Sequence, residues 1–248
     1  MGCFMKALIK KIIKSLISRD FDHCFSLWEK FKPYFYVQYV SHGQNMEDCV
    51  LVHLLDGKKN GVYVDVGAHN PVRFSNTYRL FREGWSGINV DPLPGCMDSF
   101  NKQRPNDVNL NIGCSKNAGE LVYYSFEEPA YNTFDEVRAA TVSQKGYSTL
   151  KEKLTVPVER LDTILDKYLG NRVIDVLTLD VEKRELDVLE SNNWAKYRPQ
   201  IIVMESLVSV NESLDKIYDD PAVAYLVDKG YIAVAKLSNA VFFRETKQ

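Results

Sequence analysis

The sequence predicts an α/β fold built on an open, mostly parallel sheet. Residues 61–70 read GVYVDVGAHN, an apolar run that ends in an acid and then breaks at a glycine, as a buried parallel strand does. Residues 85–92, WSGINVDP, repeat the pattern about 20 residues later. Open α/β sheets bind ligands at the carboxyl ends of their strands. The two runs therefore predict a nucleotide-sized crevice with one acid from each strand, Asp65 and Asp91.

The remaining segments continue the alternation of strand and helix and end in a hairpin. Helices are predicted at residues 41–55, 75–83, 94–102, 161–168, 184–190 and 221–229. Further strands are predicted at residues 87–91, 107–112, 121–126, 156–158, 173–180, 200–205, 230–236 and 240–244. Only three residues separate the last two strands, which indicates an antiparallel hairpin. Residues 127–154 are polar and irregular, and we expect a long functional loop there.

Length and composition favour one catalytic domain and exclude several classes of protein. The 248 residues are 45% hydrophobic, which suits an α/β domain at residues 41–248 preceded by a helical extension at residues 1–40. A net charge of -2 gives no general attraction to phosphate backbones, so we expect no nucleic-acid partner. The five cysteines form no Cys-x-x-Cys pair, which favours reduced thiols in a cytoplasmic protein.

The N-terminal segment predicts a basic amphipathic helix at residues 5–17, where leucines and isoleucines alternate with lysines at helical spacing. No apolar run is long enough for a transmembrane helix. Two roles remain open for this helix. It can pack on its own domain or a partner subunit, or it can make peripheral contact with an anionic membrane surface, which would be the inner membrane surface for a cytoplasmic protein.

The order of elements is typical of class I S-adenosylmethionine-dependent methyltransferases, which have a Rossmann-like, mostly parallel seven-stranded sheet with a C-terminal antiparallel hairpin. The dinucleotide fingerprint Gly-x-Gly-x-x-Gly is absent. Gly67 has no Cβ and would let the backbone approach the methionine part of the cofactor. Asp91 would accept hydrogen bonds from the ribose hydroxyls.

At the family level the chain resembles the FkbM-type methyltransferases. An ordered set of motifs carries the resemblance over about residues 41–205: VYVDVGAHNPVRFSNT at 62–77, GWSGINVDP at 84–92, NLNIG at 109–113, NTF at 132–134, and DVE at 180–182 followed by Glu185, Leu186, Val188 and Leu189. The resemblance implies methyl transfer from S-adenosylmethionine, usually to oxygen. It also implies a carbohydrate or small-molecule acceptor, commonly a sugar of a glycan, glycolipid or natural product.

These motifs supply candidate residues for each task. The cofactor-binding candidates are Asp65, Gly67, Ala68, Asp91, Asn111, Gln44 and Glu47. The candidates for binding the acceptor are Arg73, Asn76, Asn132, Glu182 and Glu205. Methyl transfer to a hydroxyl needs a group that removes its proton. Asp180 is the preferred candidate and His69 the second.

Each candidate also has a structural interpretation. Asp65 can bind backbone amides of the next loop, Asp91 can cap the following helix, and Gly67 can simply permit a tight turn. His69 can be a structural donor, Arg73 can pair with an acid, and Asp180 and Glu205 can be structural carboxylates. The last two end adjacent strands and could share a divalent cation such as Mg²⁺, but two acids make an incomplete metal site.

Two positions depart from the family pattern, which usually has glycine where this chain has Met46 and Lys183. A lysine after the fourth parallel strand can change the turn or project a cation into the crevice. These departures motivate one alternative, a non-catalytic cofactor-binding or scaffold module. A second alternative is a Rossmann-type oxidoreductase that uses NAD.

Overall fold

The computed structural model describes residues 40–206, 208–209 and 211–246. The predicted helix at residues 5–17 lies outside these residues, so this helix and the domain boundary at residue 40 stay predictions. Over the described ranges, no helix is both long enough and apolar enough to cross a membrane.

The chain forms ten strands and seven α-helices over the described residues. The strands are β1 Val62–Val66, β2 Ser86–Val90, β3 Val108–Leu110, β4 Gly113–Cys114, β5 Gly119–Phe126, β6 Leu150–Glu159, β7 Val176–Leu179, β8 Ile201–Glu205, β9 Tyr231–Leu237 and β10 Ala240–Glu245. The helices are α1 Glu47–Leu54, α2 Tyr78–Arg82, α3 Met97–Gln103, α4 Glu136–Gln144, α5 Leu161–Tyr168, α6 Glu185–Glu190 and α7 Pro221–Asp228. Short 3₁₀ turns lie at Pro129–Tyr131 and Leu214–Asp219.

Seven strands form the main sheet in the order β3-β2-β1-β7-β8-β10-β9. The first five are mutually parallel, whereas β10 runs antiparallel to both β8 and β9. This arrangement confirms the predicted fold class, including the C-terminal hairpin.

The main sheet is buried on both faces, which explains the nearly continuous apolar runs of its strands. One face packs Val64, Ile88 and Leu177 into the larger core cluster. The other face packs Tyr63 and Phe242 against α1 and its neighbours. The acids Asp91, Asp180 and Glu205 lie at or just after the carboxyl ends of β2, β7 and β8.

A second, three-stranded sheet in the order β4-β6-β5 was not predicted. The expectation of a long loop at residues 127–154 is wrong, because this segment contains a 3₁₀ turn, α4 and the first half of β6. Asp135 caps α4 by accepting a hydrogen bond from the Arg138 amide at 2.6 Å. The segment is therefore an ordered insertion between the main strands.

Three helices begin at least three residues later than the sequence predicts, among them α3, which begins at Met97 instead of residue 94. α1 begins at Glu47 because Met46 has a left-handed backbone, with φ 73°. α2 begins at Tyr78, although Ser75 accepts a hydrogen bond from the Tyr78 amide at 3.1 Å. The residues before each helix are thus free to form loops at the sheet edge.

Candidate active site

The carboxyl ends of β1, β2, β7 and β8 open into one cleft with a volume of about 460 Å³. The loop after β1 forms one wall, and β5 with the turn that follows it contributes to another. Most of the predicted site residues line this cleft: Gln44, Asp65, Gly67, Ala68, His69, Arg73, Asn76, Asp91, Asn132, Asp180, Glu182 and Glu205. Glu47 and Asn111 lie outside its lining.

Asp65 is buried at the base of the cleft and holds two strands and a loop together. Its carboxylate accepts hydrogen bonds from the hydroxyl of Thr77 at 2.6 Å and from the hydroxyl of Thr178 on β7. Burial raises the pKa of Asp65, and the two hydroxyl donors act in the opposite direction. Its partners are threonine side chains rather than the loop amides of the structural interpretation.

Gly67 is required where the segments that follow the parallel strands β1 and β7 come into close contact. Its φ is +82°, and a Cβ at this position would lie 1.8 Å from the backbone oxygen of Asp180. The Asp180 amide in turn donates to the Val66 oxygen at 3.0 Å. Gly67 therefore lets the end of β1 and the end of β7 come together at the floor of the cleft.

Asp91 follows β2 and organises the loops on both sides of it. It accepts hydrogen bonds from the amides of His69 and Leu93, each at 2.9 Å. It does not cap the next helix, because the N-cap of α3 is Cys96. Desolvation raises the pKa of Asp91, and the two amide donors oppose that effect. A carboxylate has about four lone-pair sites, so these amides leave acceptor capacity toward the cleft.

His69 has a strained backbone with φ 54° and its ring stacks on Phe74 at 6.2 Å. Its Nε2 atom is buried and has no hydrogen-bond partner among the described residues. Burial lowers the pKa of His69, and the nearby Asp91 opposes that shift. A buried unpaired nitrogen is costly, which marks this atom as one that a ligand would satisfy.

Asp180, Glu182 and Glu205 form an acidic cluster. One carboxylate oxygen from each lies within 4.8 Å of the others. Asp180 is exposed to the open cleft, but the surrounding protein still desolvates its carboxylate. This desolvation, followed by the charges of Glu205 and Glu182, raises the pKa of Asp180 well above its usual range. The pKa of Glu205 is also raised, first by burial and then by Glu182. Like charges this close disfavour full ionisation, so Asp180 and Glu205 retain protons at higher pH than isolated acids do.

Two arginines connect the cleft to the inserted segment. Arg138 on α4 pairs with Glu182 at 2.8 Å, and Arg73 in the loop after β1 pairs with Glu128 at 3.0 Å. The first pair is mostly buried, whereas the second is half-exposed. The sequence left open whether Arg73 pairs with an acid, and the structure places it in such a pair.

Other predicted residues have structural contacts. Asn111 donates to the oxygens of Asp91 and Leu93 at 2.9 and 2.7 Å, which fixes the loop after β2. The Asn132 side-chain oxygen accepts from the Phe126 amide at 2.7 Å. Glu47 accepts from the Asn45 amide at 2.8 Å and lines a small adjoining cavity. No ligand contact has to be assumed to explain these three positions.

Arg104 is fully buried and supports the cleft from behind. Its guanidinium donates to the Pro71 oxygen, to the Ser75 hydroxyl at 2.7 Å and to the Thr77 hydroxyl at 2.8 Å. The loop after β1 is therefore fastened at three points. Sequence reasoning missed Arg104, because a single arginine at the end of a predicted helix gives no signal of burial.

Sequence reasoning also missed Tyr123, Phe134, Arg138 and Asn239, which line the cleft. Asn239 lies in the hairpin turn and donates to Glu205 at 3.3 Å. Tyr123 lies on β5, within the strand predicted at residues 121–126, whereas Phe134 and Arg138 come from the inserted segment, which was predicted as a loop. The acid Asp135 before an acidic first turn was the available signal for α4.

The two departures from the family pattern share one backbone feature. Met46 has φ 73° and Lys183 has φ 78°, in the left-handed region that favours glycine. Both side chains are exposed. The chain thus keeps the backbone of a glycine at each position while carrying a larger residue.

The sheet order and the acid-ended strands around one cleft define the class of protein as a class I methyltransferase fold. A sequence model described as the methyltransferase FkbM domain matches residues 65–232. The match covers more than half of the chain, which therefore belongs to the FkbM methyltransferase family. The resemblance seen in the motifs is confirmed.

Two solved structures illustrate what the fold is similar to. A TehB-like SAM-dependent methyltransferase from Corynebacterium glutamicum is 8% identical with a TM-score of 0.40, covering 91% of this chain and 97% of that one. A precorrin-6y C5,15-methyltransferase from Geobacter metallireducens is 13% identical with a TM-score of 0.40, covering 84% and 92%. No curated protein matches the chain significantly.

Proposed function

We propose that the protein transfers the methyl group of S-adenosylmethionine to a hydroxyl oxygen of a carbohydrate. One observation carries the proposal: a single cleft joins Asp91, on one side of β1, to the acidic cluster that begins with Asp180 on the other side. Asp91 is suited to accepting hydrogen bonds from the ribose hydroxyls of the cofactor. Asp180 is suited to taking up the proton of the acceptor hydroxyl. Membership of a methyltransferase family supports the reaction type.

The residues around Asp91 fit this cofactor. Asp91 retains acceptor capacity beyond its two backbone bonds, and the buried His69 Nε2 atom lacks a partner that a ligand could provide. Tyr123, Leu93 and Ala68 add apolar surface to the same cleft. A volume of about 460 Å³ lies within the range of small-molecule sites.

The cofactor supplies an activated methyl group on a sulfonium. The chain's own tasks are to align the acceptor oxygen, exclude water and take up the hydroxyl proton. Asp180 is the group we assign to the proton, because its raised pKa brings it closer to the working pH of a general base. Glu205 and Glu182 maintain that pKa, and Arg138 orients Glu182.

The surroundings of the acidic cluster support a polyhydroxylated acceptor. Asn132, Asn239, Arg138 and Glu205 line the same part of the chain's cleft and offer both donors and acceptors. Sugar hydroxyls need both. Each of these groups already has one protein partner, and sugar hydroxyls would use the donors and acceptors that remain, whereas an apolar acceptor would desolvate them without replacement.

Asp180, Glu182 and Glu205 also offer three oxygen ligands of the kind that Mg²⁺ prefers. Glu182 is already paired with Arg138, which competes with a cation. We therefore derive no step of the reaction through a metal. Methyl transfer measured with and without EDTA would show a metal requirement directly.

The proposal is tested by incubating the full chain with methyl-labelled S-adenosylmethionine and a panel of mono- and oligosaccharides. We expect label in the sugar, at an oxygen, and no dependence on NAD. A chain that binds NAD in calorimetry but not S-adenosylmethionine would instead be an oxidoreductase. Tight cofactor binding with no transfer to any sugar would contradict the proposed acceptor class.

A further inference from the structure

A second cavity of about 610 Å³ lies beside the cleft, on the inserted segment. We call it the outer groove. Its lining combines the end of β5, the end of α4 and the start of β6: Glu127, Glu128, Ser143, Gly146, Tyr147, Ser148, Thr149 and Leu150. Glu128 lines both the cleft and the outer groove. The two cavities are therefore adjacent, and one ligand could occupy both.

An exposed aromatic side chain dominates the outer groove. Tyr147 is 53% exposed, yet its position is fixed. Its ring stacks on Tyr131 at 6.1 Å with an angle of 16° between the planes, and its amide donates to the Val142 oxygen at 3.1 Å. Tyr131 itself lines the cleft. The tyrosine pair thus spans the boundary between the two cavities.

Because the Tyr147 ring is already held in one position, little side-chain conformational entropy would be lost when a ligand binds to it. The C–H faces of a sugar ring pack on such an aromatic face, while its hydroxyls need polar partners. The outer groove provides these partners in Ser143, Thr149 and the two glutamates. Its lining contains no basic side chain, but the Lys145 ammonium lies 5.8 Å from the centre of the Tyr147 ring.

We propose that the outer groove is a subsite for a second sugar unit of an oligosaccharide acceptor, with Tyr147 as its stacking platform. The inference rests on the proposed function, since the sugar that reacts would occupy the cleft. The Arg73–Glu128 pair lies at the junction of the two cavities, where a glycosidic linkage would pass. The protein would then select acceptors of at least two units.

The test is binding to a glycan array in the presence of S-adenosylhomocysteine. The array carries matched mono- and tetrasaccharides of glucose, galactose, mannose, rhamnose and N-acetylglucosamine. We expect at least one tetrasaccharide to be retained about tenfold more strongly than its monosaccharide. The variant Tyr147→Ala should lose this difference and bind S-adenosylmethionine as the wild type does. Tyr218→Ala is the matched control, because Tyr218 is 52% exposed and lies in neither cavity.

Equal retention of mono- and tetrasaccharides by the wild type would overturn the subsite. So would a Tyr147→Ala variant that keeps the preference, or a chain that binds the cofactor in calorimetry and retains no sugar. A chain that does not bind S-adenosylmethionine but retains tetrasaccharides through Tyr147 would contradict the proposed function and leave the sugar site standing.

Discussion

Asp91 and Asp180 directly follow the strands on either side of β1, and we propose different tasks for them. Desolvation raises the pKa of both carboxyl groups. Two backbone amides anchor Asp91 and oppose this shift, whereas the neighbouring acids Glu205 and Glu182 raise the pKa of Asp180 further. An anchored carboxylate is a good fixed acceptor. A carboxylate with a raised pKa is a better base.

For Asp180→Asn we expect turnover to fall by about 10²–10⁴, because the amide cannot take up the hydroxyl proton. Affinity for S-adenosylmethionine should change by less than about threefold, since the substitution preserves shape. Single-turnover kinetics and calorimetry measure the two effects separately. If the lost rate returned at saturating cofactor, Asp180 would have a binding role and not a proton-transfer role.

The left-handed residues Met46 and Lys183 provide a second prediction. Replacing either by glycine should stabilise the protein by about 0.5–1 kcal/mol, because relief of backbone strain exceeds the entropic cost of glycine. Urea unfolding measures the change. Lys145→Gly is the control, because Lys145 has φ -81° and no strain to relieve. This substitution should lower the stability of the protein by a similar amount, through the entropic cost of glycine. A destabilised Lys183→Gly would mean that the lysine side chain makes a contribution larger than the strain.

At the scale of elements, the site depends on the close approach of the chain after β1 to the chain after β7, at Gly67. A methyl group at Gly67 would collide with the Asp180 backbone, whereas a Cβ at Gly146, also left-handed with φ +67°, meets open space. Comparing alanine substitutions at the two glycines therefore separates the free-energy cost of the steric collision from that of the left-handed backbone.

We expect Gly67→Ala to destabilise the protein by about 3 kcal/mol or more, since both strain and collision apply. Gly146→Ala should cost only about 1 kcal/mol, from strain alone. Urea unfolding of both variants is the measurement. Similar losses in the two variants would show that β7 can move away from β1 without penalty.

The main sheet was predictable because each buried strand is an apolar run closed by an acid or a glycine. The inserted segment was not, because α4 buries only Ala139 and Val142 and so lacks a clear helical period. Its contribution to the cleft, including Arg138, depends on tertiary contacts across 44 residues. A motif at the end of a strand is visible in a short stretch of sequence, whereas a contact between residues far apart in the chain is not.

For the whole molecule, the concentration of buried acids makes stability depend on pH. Glu185 is buried, with its pKa raised to about 7 by desolvation. The folded state therefore binds its proton at pH values where the unfolded state has released it. Stability from this group is present at low pH and is lost as pH rises toward 7. Burial lowers the pKa values of His42 and His69. The folded state therefore keeps these side chains neutral at pH values where the unfolded state protonates them, so the stability they contribute is lost as pH falls.

We expect Glu185→Gln to reduce the loss of stability between pH 5 and 8 by on the order of 2 kcal/mol. The glutamine can still accept hydrogen bonds from the Val181 and Lys183 amides, as Glu185 does. Unfolding free energies measured across this range provide the test. Parallel pH profiles for the variant and the wild type would show that Glu185 titrates normally.

Under the proposed function, Asp91 holds the ribose of S-adenosylmethionine in this cleft. Calorimetric titration of the wild type and Asp91→Asn with S-adenosylmethionine tests it most directly, with the exposed Asp98→Asn as the matched control. We predict one bound cofactor per chain, at least about tenfold weaker binding to Asp91→Asn because a charge-assisted hydrogen bond is lost, and unchanged binding to Asp98→Asn. Binding to Asp91→Asn as strong as to the wild type, or no binding to the wild type, would contradict the claim.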